Sequence, residues 1–434
     1  MSELDRDALR AAYSRFLATP GRILLTGHSH QAWPDVVRDA LGACFDDAAR
    51  HCDDKWSAAV FPTIQTVGEA VLDRMGFPKD DAIAFGRSTH ELLMRLVSCL
   101  PIYQRHDPRY GLRHGHEPHD AGLPREGSDP GGPKTERDPY GPKTERDPSR
   151  PVRIVTTQAE FHSMRRQLTR LAEEGVDVVW VDASPRERLA ERLLDAITPG
   201  TDLVAFSAVL FEDAYVLPRL GEIIARAVEV SAIPLVDAYH AFNVVPLDWG
   251  PAVAHAFVTA GGYKYAAFGE GICWLRIPQG CTLRPVDTGW FADFGALDAG
   301  GGDITYGPGG ARFAGATFDP TPFYRAHATL AHWERFGLTP ERLRALSLAQ
   351  TDRILARLDE AGLADAVVTP RDPARRGGFI AVRAPRASDL VTQLRAQGVF
   401  VDARGDRVRL GPAPYLTDAE IDRATTLLAA ALRA

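Results

Sequence analysis

Helices and short apolar strands alternate along most of the chain. Residues 35–49 and 61–75 carry apolar side chains at helical spacing, one face of a 3.6-residue period. Ser88-Thr89 stands before Glu91 and the run LLMRLVSCL, which is the N-cap chemistry of a helix start. Further on come the strand VRIVTT, a helix over 163–174, the strand VDVVWVD and a helix over 185–197. The strand DLVAFSAV, a helix over 219–230 and the apolar runs IPLVDAYH, HAFVTAG and GICWLRI follow. Such alternation predicts an α/β domain built on a mostly parallel, buried sheet. Beyond residue 320 the pattern changes. Longer helices lead to FIAVRA, VFVDARGD and RVRLGP, expected as an antiparallel set, and then to a final helix. This predicts a smaller α+β domain at the C-terminal end.

The expected organisation is therefore three-part. Residues 1–60 form an N-terminal segment packing on the small domain and the active site. Residues 61–318 form the large domain, and 319–434 the small one. One stretch interrupts the large domain: 106–150 holds almost no aliphatic residues, many prolines and glycines, and a tandem GPKTERDP. It reads as a disordered surface insertion, because it cannot bury enough apolar surface to offset the entropy of ordering. His114, His116 and His119 lie inside it, either as a solvated polar loop or as metal-binding histidines.

Composition narrows the function. The 434 residues are 45% hydrophobic and 25% charged, with 50 basic against 57 acidic side chains and a formal charge of -7. A nucleic-acid partner is not expected on that balance. No apolar run is long enough to span a membrane, and the first residues, MSELDRDALRAAYSRF, lack the apolar core of a signal peptide. Five scattered cysteines without a C-x-x-C pair argue against disulfides and a zinc site, so no metal is expected. The expected setting is cytoplasmic.

The chemistry concentrates in IPLVDAYHAFNV and FVTAGGYKY. Asp237 ends an apolar strand, so its carboxylate emerges at the carboxyl edge of the sheet, where open α/β sheets bind ligands. Lys264 follows the next strand on a Gly261-Gly262 turn. A lysine and an acid at adjacent strand mouths suit pyridoxal phosphate, the lysine forming the Schiff base and the acid keeping the ring nitrogen protonated. They would equally serve as a plain ion pair at a sheet edge. Ser88-Thr89 offers hydroxyls and free N–H groups for a phosphate, and Phe161 an aromatic face for a pyridine ring. His162 beside it reads as either a packing or a site residue. Tyr263 and His240 flank the central pair, while Ser207 and Phe211 face the same edge.

The order Ser88-Thr89, Phe161, Asp237-x-x-His240 and Tyr263-Lys264 resembles the aspartate-aminotransferase-like superfamily, fold type I. Within it, VDAYHAFNVVPLDWG, GGYKY, VDTGWF, RFAGATFDPTP and GVFVDARGDRVRLGPAPYLT are similar to kynureninase motifs. The likeness covers nearly the whole chain outside the insertion. It implies a class V-like enzyme using pyridoxal 5'-phosphate in a homodimer, with amino-acid substrates. It also implies roles: Lys264, Asp237 and Tyr263 catalytic, with Phe161 over the ring and Ser88, Thr89, Ser207, His240 and Tyr263 around the cofactor. Trp290 and Thr317 would complete that shell from the second subunit. Arg376 would clamp the substrate α-carboxylate as a planar fork, and His28 and Ser29 would contact the substrate. The implied reaction passes through an external aldimine and a quinonoid to hydrolytic Cβ–Cγ cleavage, releasing alanine. C–S β-lysis, transamination or a catalytically silent protein would use the same scaffold. A cysteine desulfurase is disfavoured, since no cysteine follows Cys281. Where kynureninases carry N-S-L-G and a glycine-histidine segment, this chain reads TGHSHQAWP (His28, Ser29, His30) and ARHCDDKWS (His51, Trp56). Kynurenine itself does not follow from the resemblance.

Overall fold

The computed structural model describes residues 4–104, 150–296 and 304–433, so the GPKTERDP repeats and the three clustered histidines lie outside the described residues. In chain order the described strands are β1 (Ile23–Leu24), β2 (Ala82–Gly86), β3 (Arg153–Thr157), β4 (Asp177–Val181), β5 (Leu203–Ser207) and β6 (Ile233–Asp237). They continue as β7 (Phe257–Gly261), β8 (Cys273–Ile277), β9 (Ile380–Arg383), β10 (Val399–Phe400), β11 (Asp402–Arg404) and β12 (Arg407–Leu410). The helices are α1 (Arg6–Ala11), α2 (Val36–His51), α3 (Phe61–Arg74), α4 (Thr89–Val97), α5 (His162–Glu173) and α6 (Leu189–Ala196). After them come α7 (Leu220–Glu229), α8 (Thr321–Arg335), α9 (Pro340–Glu360), α10 (Ala387–Ala396) and α11 (Asp418–Arg433).

Seven strands make the main sheet in the order β2-β8-β7-β6-β5-β3-β4. Five neighbours, β4, β3, β5, β6 and β7, run parallel, while β8 runs antiparallel to both β7 and β2. Parallel strands covered on both faces need continuous apolar runs. β5, β7 and β8 are buried at every position. The strand ends therefore fall on one edge: Gly86, Thr157, Ser207, Asp237 and Gly261 all lead into loops there. That edge carries the site.

The C-terminal region folds as β11-β12-β9, a three-stranded antiparallel sheet, with α9, α10 and α11 beside it. The run VFVDARGD departs from its expected place. Only Asp402–Arg404 joins the antiparallel set, whereas Val399–Phe400 pairs in parallel with Ile23–Leu24. The run changes partners at Val401, so one stretch of sequence serves two sheets. The N-terminal segment is thus stitched to the small domain by backbone hydrogen bonds, reinforced by Arg10 to Glu420 at 2.7 Å. No described helix is long and apolar enough to cross a membrane.

Candidate active site

Each functional side chain is delivered by the end of a strand. α4 begins at Ser88, whose extended backbone and hydroxyl cap the helix by accepting the Glu91 N–H at 3.2 Å. Glu91 answers by accepting the Arg87 N–H at 2.7 Å, a variant of the reciprocal capping box. After β3, Phe161 stands at the N-cap position of α5. After β7, the turn to Lys264 tolerates only glycine. A Cβ on Gly261 would lie 2.3 Å from the Cys273 sulfur, and one on Gly262 would lie 2.6 Å from the Gly269 carbonyl oxygen.

These loops enclose a cavity of about 230 Å³ lined by Ser88, Thr89, Phe161, Ser207, Asp237, His240, Tyr263 and Lys264, with Arg87, Tyr239 and Cys273 among its other walls. Lys264 is only 4% exposed. Its Nζ lies 2.8 Å from His240 Nε2 and 5.1, 4.3 and 5.6 Å from the ring centres of Phe161, Tyr239 and Tyr263. Burial lowers the amine to about 7 against the opposing pull of Asp237, while Arg409 adds to the lowering. Burial also drives His240 well below its ordinary value, helped by Lys264 and Arg409. The neutral imidazole can therefore accept a hydrogen bond from the amine. Asp237 accepts the Tyr239 N–H at 2.8 Å, and burial raises its carboxyl above the usual range despite that bond and the nearby amine. Burial lifts the Tyr263 phenol to about 12, and its ring stacks on exposed His30 at 5.1 Å.

Several residues fall elsewhere. Arg376 lines no part of the cavity. Its guanidinium is fully buried, donating to Asp352 on α9 and to the Arg371 carbonyl oxygen at 3.1 Å. The turn around it forms an antiparallel backbone bridge with Tyr215. In this arrangement Arg376 faces Asp352 and stands outside the cavity lining. His28 and Ser29 do not line the cavity either. His28 is fully buried behind the site, and the Ser29 hydroxyl donates to the Thr26 carbonyl oxygen at 3.2 Å. Trp290, 43% exposed, stacks on Phe291, and Thr317 lines a separate surface depression with Trp56 and Phe318. His51 ends α2, and Trp56 begins a π-helical turn packed on Phe61, Phe291 and Phe318.

Two further residues belong to the site. Arg409 on β12 is among the charges that lower Lys264 and His240. It pairs with both oxygens of Asp402 and donates to the Phe211 carbonyl oxygen at 2.5 Å. Glu160, 2% exposed, accepts the Thr157 and Ser207 hydroxyls at 2.6 Å each and the Ser207 N–H at 3.2 Å. Burial raises Glu160 to about 7 against those hydrogen bonds, and nearby Asp237 raises it further. The signal for Glu160 was its place directly before Phe161 at a strand end. The signal for Arg409 was its alternation with buried Val408 and Leu410.

Sequence and structure comparisons point the same way. A family model for the kynureninase C-terminal domain matches residues 343–428, which include β12 and Arg409. A kynureninase of Pseudomonas fluorescens is 29% identical over 288 residues, 63% of this chain and 66% of that protein. The chain is similar to kynureninases over these stretches, and its fold is that of the fold type I pyridoxal-phosphate enzymes. The match spans just under two thirds of the length of that curated relative. The chain also shares its fold with a cysteine desulfurase from Thermococcus onnurineus, at a TM-score of 0.74 and 19% identity over 100% of this chain and 99% of that one. The cystine C-S lyase C-DES, solved with its product cysteine persulfide, gives 0.72 and 17% over 95% and 98%. A C-DES mutant with glycine covalently linked to its cofactor gives 0.74 and 18% over 97% and 98%.

The donor set of the cavity fits pyridoxal 5'-phosphate. It combines an amine lowered to about 7, a buried carboxylate, an aromatic face and two hydroxyls at a helix start. Among the described residues no cluster of three or more His, Cys, Asp or Glu side chains could hold a metal ion.

Proposed function

We propose that the protein is a pyridoxal-phosphate-dependent enzyme that cleaves a side-chain bond of an amino acid, with hydrolytic Cβ–Cγ cleavage releasing alanine as the leading reaction. The likeness to kynureninase, carried through the small domain that holds Arg409, is the observation that favours this reaction over others on the same scaffold. Bound in the cavity, the cofactor supplies an electron sink for the electrons left when a bond to Cα breaks.

The chain's own residues supply the rest. Lys264 would hold the cofactor covalently. Uncharged above about pH 7, its amine can take a proton at Nζ, and His240 Nε2 orients it. Asp237 would stabilise the proton on the ring nitrogen, and Phe161 would cover one ring face. Ser88, Thr89 and the N-terminus of α4 would take the phosphate, where N–H dipoles converge on negative charge. Ser207, its hydroxyl fixed by Glu160, would border the cofactor ring. Tyr263 is the candidate acid–base partner. Arg409, whose charge is felt at Lys264 and which donates to the carbonyl of the cavity residue Phe211, would take the place of Arg376 as the fork for the α-carboxylate.

The functional unit in this reading is a homodimer. Trp290 and Phe294 are exposed at 43% and 54%, an arrangement that suits burial against a second copy. Trp290 and Thr317 would then reach the partner's cavity. Product analysis with kynurenine, 3-hydroxykynurenine and cysteine conjugates tests the reaction. Alanine plus an aryl carboxylic acid is the expected outcome. Pyruvate with ammonia and a thiol would assign C–S lysis, amine transfer to a keto acid would assign transamination, and purified protein without visible cofactor absorbance would mark a silent member.

A further inference from the structure

His28 is completely buried, yet it touches neither the cavity nor solvent. Its Nε2 lies 2.8 Å from Asp402 Oδ1. The same oxygen accepts Arg409 Nε at 2.9 Å, and Oδ2 accepts a second Arg409 N–H. Burial lowers His28 to about 4, so the ring is neutral and Nε2–H is the donor. Burial alone would raise Asp402, but His28 and Arg409 hold it well below the usual carboxylate range. The three side chains form one line, His28 to Asp402 to Arg409, ending on the carbonyl of the cavity residue Phe211, with the Arg409 charge felt at Lys264.

The backbone builds this line deliberately. The Gly27 N–H donates to the Gly411 carbonyl oxygen at 2.9 Å, and the Gly411 N–H returns to Leu25 at 2.8 Å. The Ser29 and His30 N–H groups close on the Thr26 carbonyl oxygen at 2.9 and 2.7 Å. The imidazole stands 4.6 Å from the Phe379 ring, and a Cβ on Gly411 would lie 2.1 Å from its Nδ1. Room for a histidine here depends on a glycine just after β12. A histidine kept only to fill core space would need no such carboxylate partner.

We propose that His28 is a positioning residue that fixes Arg409 through Asp402 and so sets the affinity for the substrate α-carboxylate. The inference rests on the reading of Arg409 as the carboxylate fork. A second donor on Asp402 shares its negative charge and stops the carboxylate from following the guanidinium when substrate arrives. Arg409 thereby stays oriented while retaining donor capacity for a second carboxylate.

The test uses holoenzyme and two small probes, L-alanine and alaninol, which differ only in carboxylate against CH₂OH. Binding is read from the change in visible cofactor absorbance, alongside cofactor content and melting temperature. His28→Leu is expected to raise the Kd for alanine by ~10-fold, the range of one charge-assisted hydrogen bond, and to leave alaninol unchanged. His28→Gln, whose amide N–H can still reach Asp402, should recover most of the affinity. If His28→Leu does not accumulate folded, His28→Asn, polar but too short, carries the same expectation. Arg409→Gln separates the two readings. If it weakens alanine alone while the His28 variants change neither probe, or both equally, the role of His28 is overturned. If Arg409→Gln leaves alanine binding intact, the fork assignment fails first and the inference with it.

Discussion

The cavity has two faces of different construction. The floor is the edge of a parallel sheet, where Ser207 and Asp237 end strands locked by backbone ladders on both sides and Lys264 follows on the turn after β7. The roof, behind the cavity's own lining, is drawn from the C-terminal region and the N-terminal segment, where Arg409, Asp402 and His28 depend on side-chain hydrogen bonds among themselves. A floor fixed by backbone can hold a cofactor rigidly. A roof fixed by side chains can be altered piece by piece, and in the proposed reading it bears on substrate binding.

The sharpest way to break this division is at the floor. Lys264→Ala should abolish turnover and the visible absorbance of covalently held cofactor; retention of that band would remove Lys264 from the centre. Asp237→Asn should lower kcat by orders of magnitude while cofactor remains bound through Lys264 and the phosphate shell, because the ring needs its proton most after a bond to Cα breaks. Near-native kcat with that variant would separate Asp237 from the ring.

The roof is tested by pairing two arginines. Arg409→Lys should cost roughly 10- to 100-fold in kcat/KM, since lysine has the charge but not the fork. Arg376→Lys should leave KM in place and lower the melting temperature, because that side chain is sealed against Asp352. The reverse result would return the clamp to Arg376. The smallest effect concerns Glu160. Its folded value, raised to about 7, lies above its unfolded one, so the folded state gains from the proton it holds. That contribution is fully present below the unfolded value near 4.5 and is lost as pH rises through about 7. Melting temperature followed from pH 5 to 8 should therefore show a shallower fall in Glu160→Gln than in the parent; parallel curves would mean Glu160 stays ionised throughout.

How much of this was legible in the sequence follows the same line. Asp237 and Lys264 end apolar runs that have no alternative to a buried strand, so their common edge can be deduced from local pattern. Ala82–Gly86 also joins the sheet, but five residues without alternation carry little signal. The roof was harder to read. Arginines crowd the small domain at 375, 376, 383, 404, 407 and 409, and spacing does not say which one faces Lys264. That choice is made by the ion pair of Arg376 with Asp352 and by the pairing of Asp402 with Arg409 across β11 and β12. Glu160 was hidden for a related reason. A charged residue between a strand and a helix looks like a surface loop until Ser207, distant in sequence, is placed against it.

The contact between His28 and Asp402 joins residues 374 positions apart. At the ~5–20 residues per second of synthesis, the N-terminal loop waits roughly 20 to 75 seconds for its partner to be made. Throughout that interval its histidine has no carboxylate to meet, and the two-residue strand before it has no neighbour to pair with. The floor of the cavity is complete in the nascent chain long before the roof. Maturation of this protein therefore has an order written into its connectivity: the sheet edge that bears Asp237 and Lys264 is synthesised first, and the C-terminal strands that pair with the N-terminal segment come last.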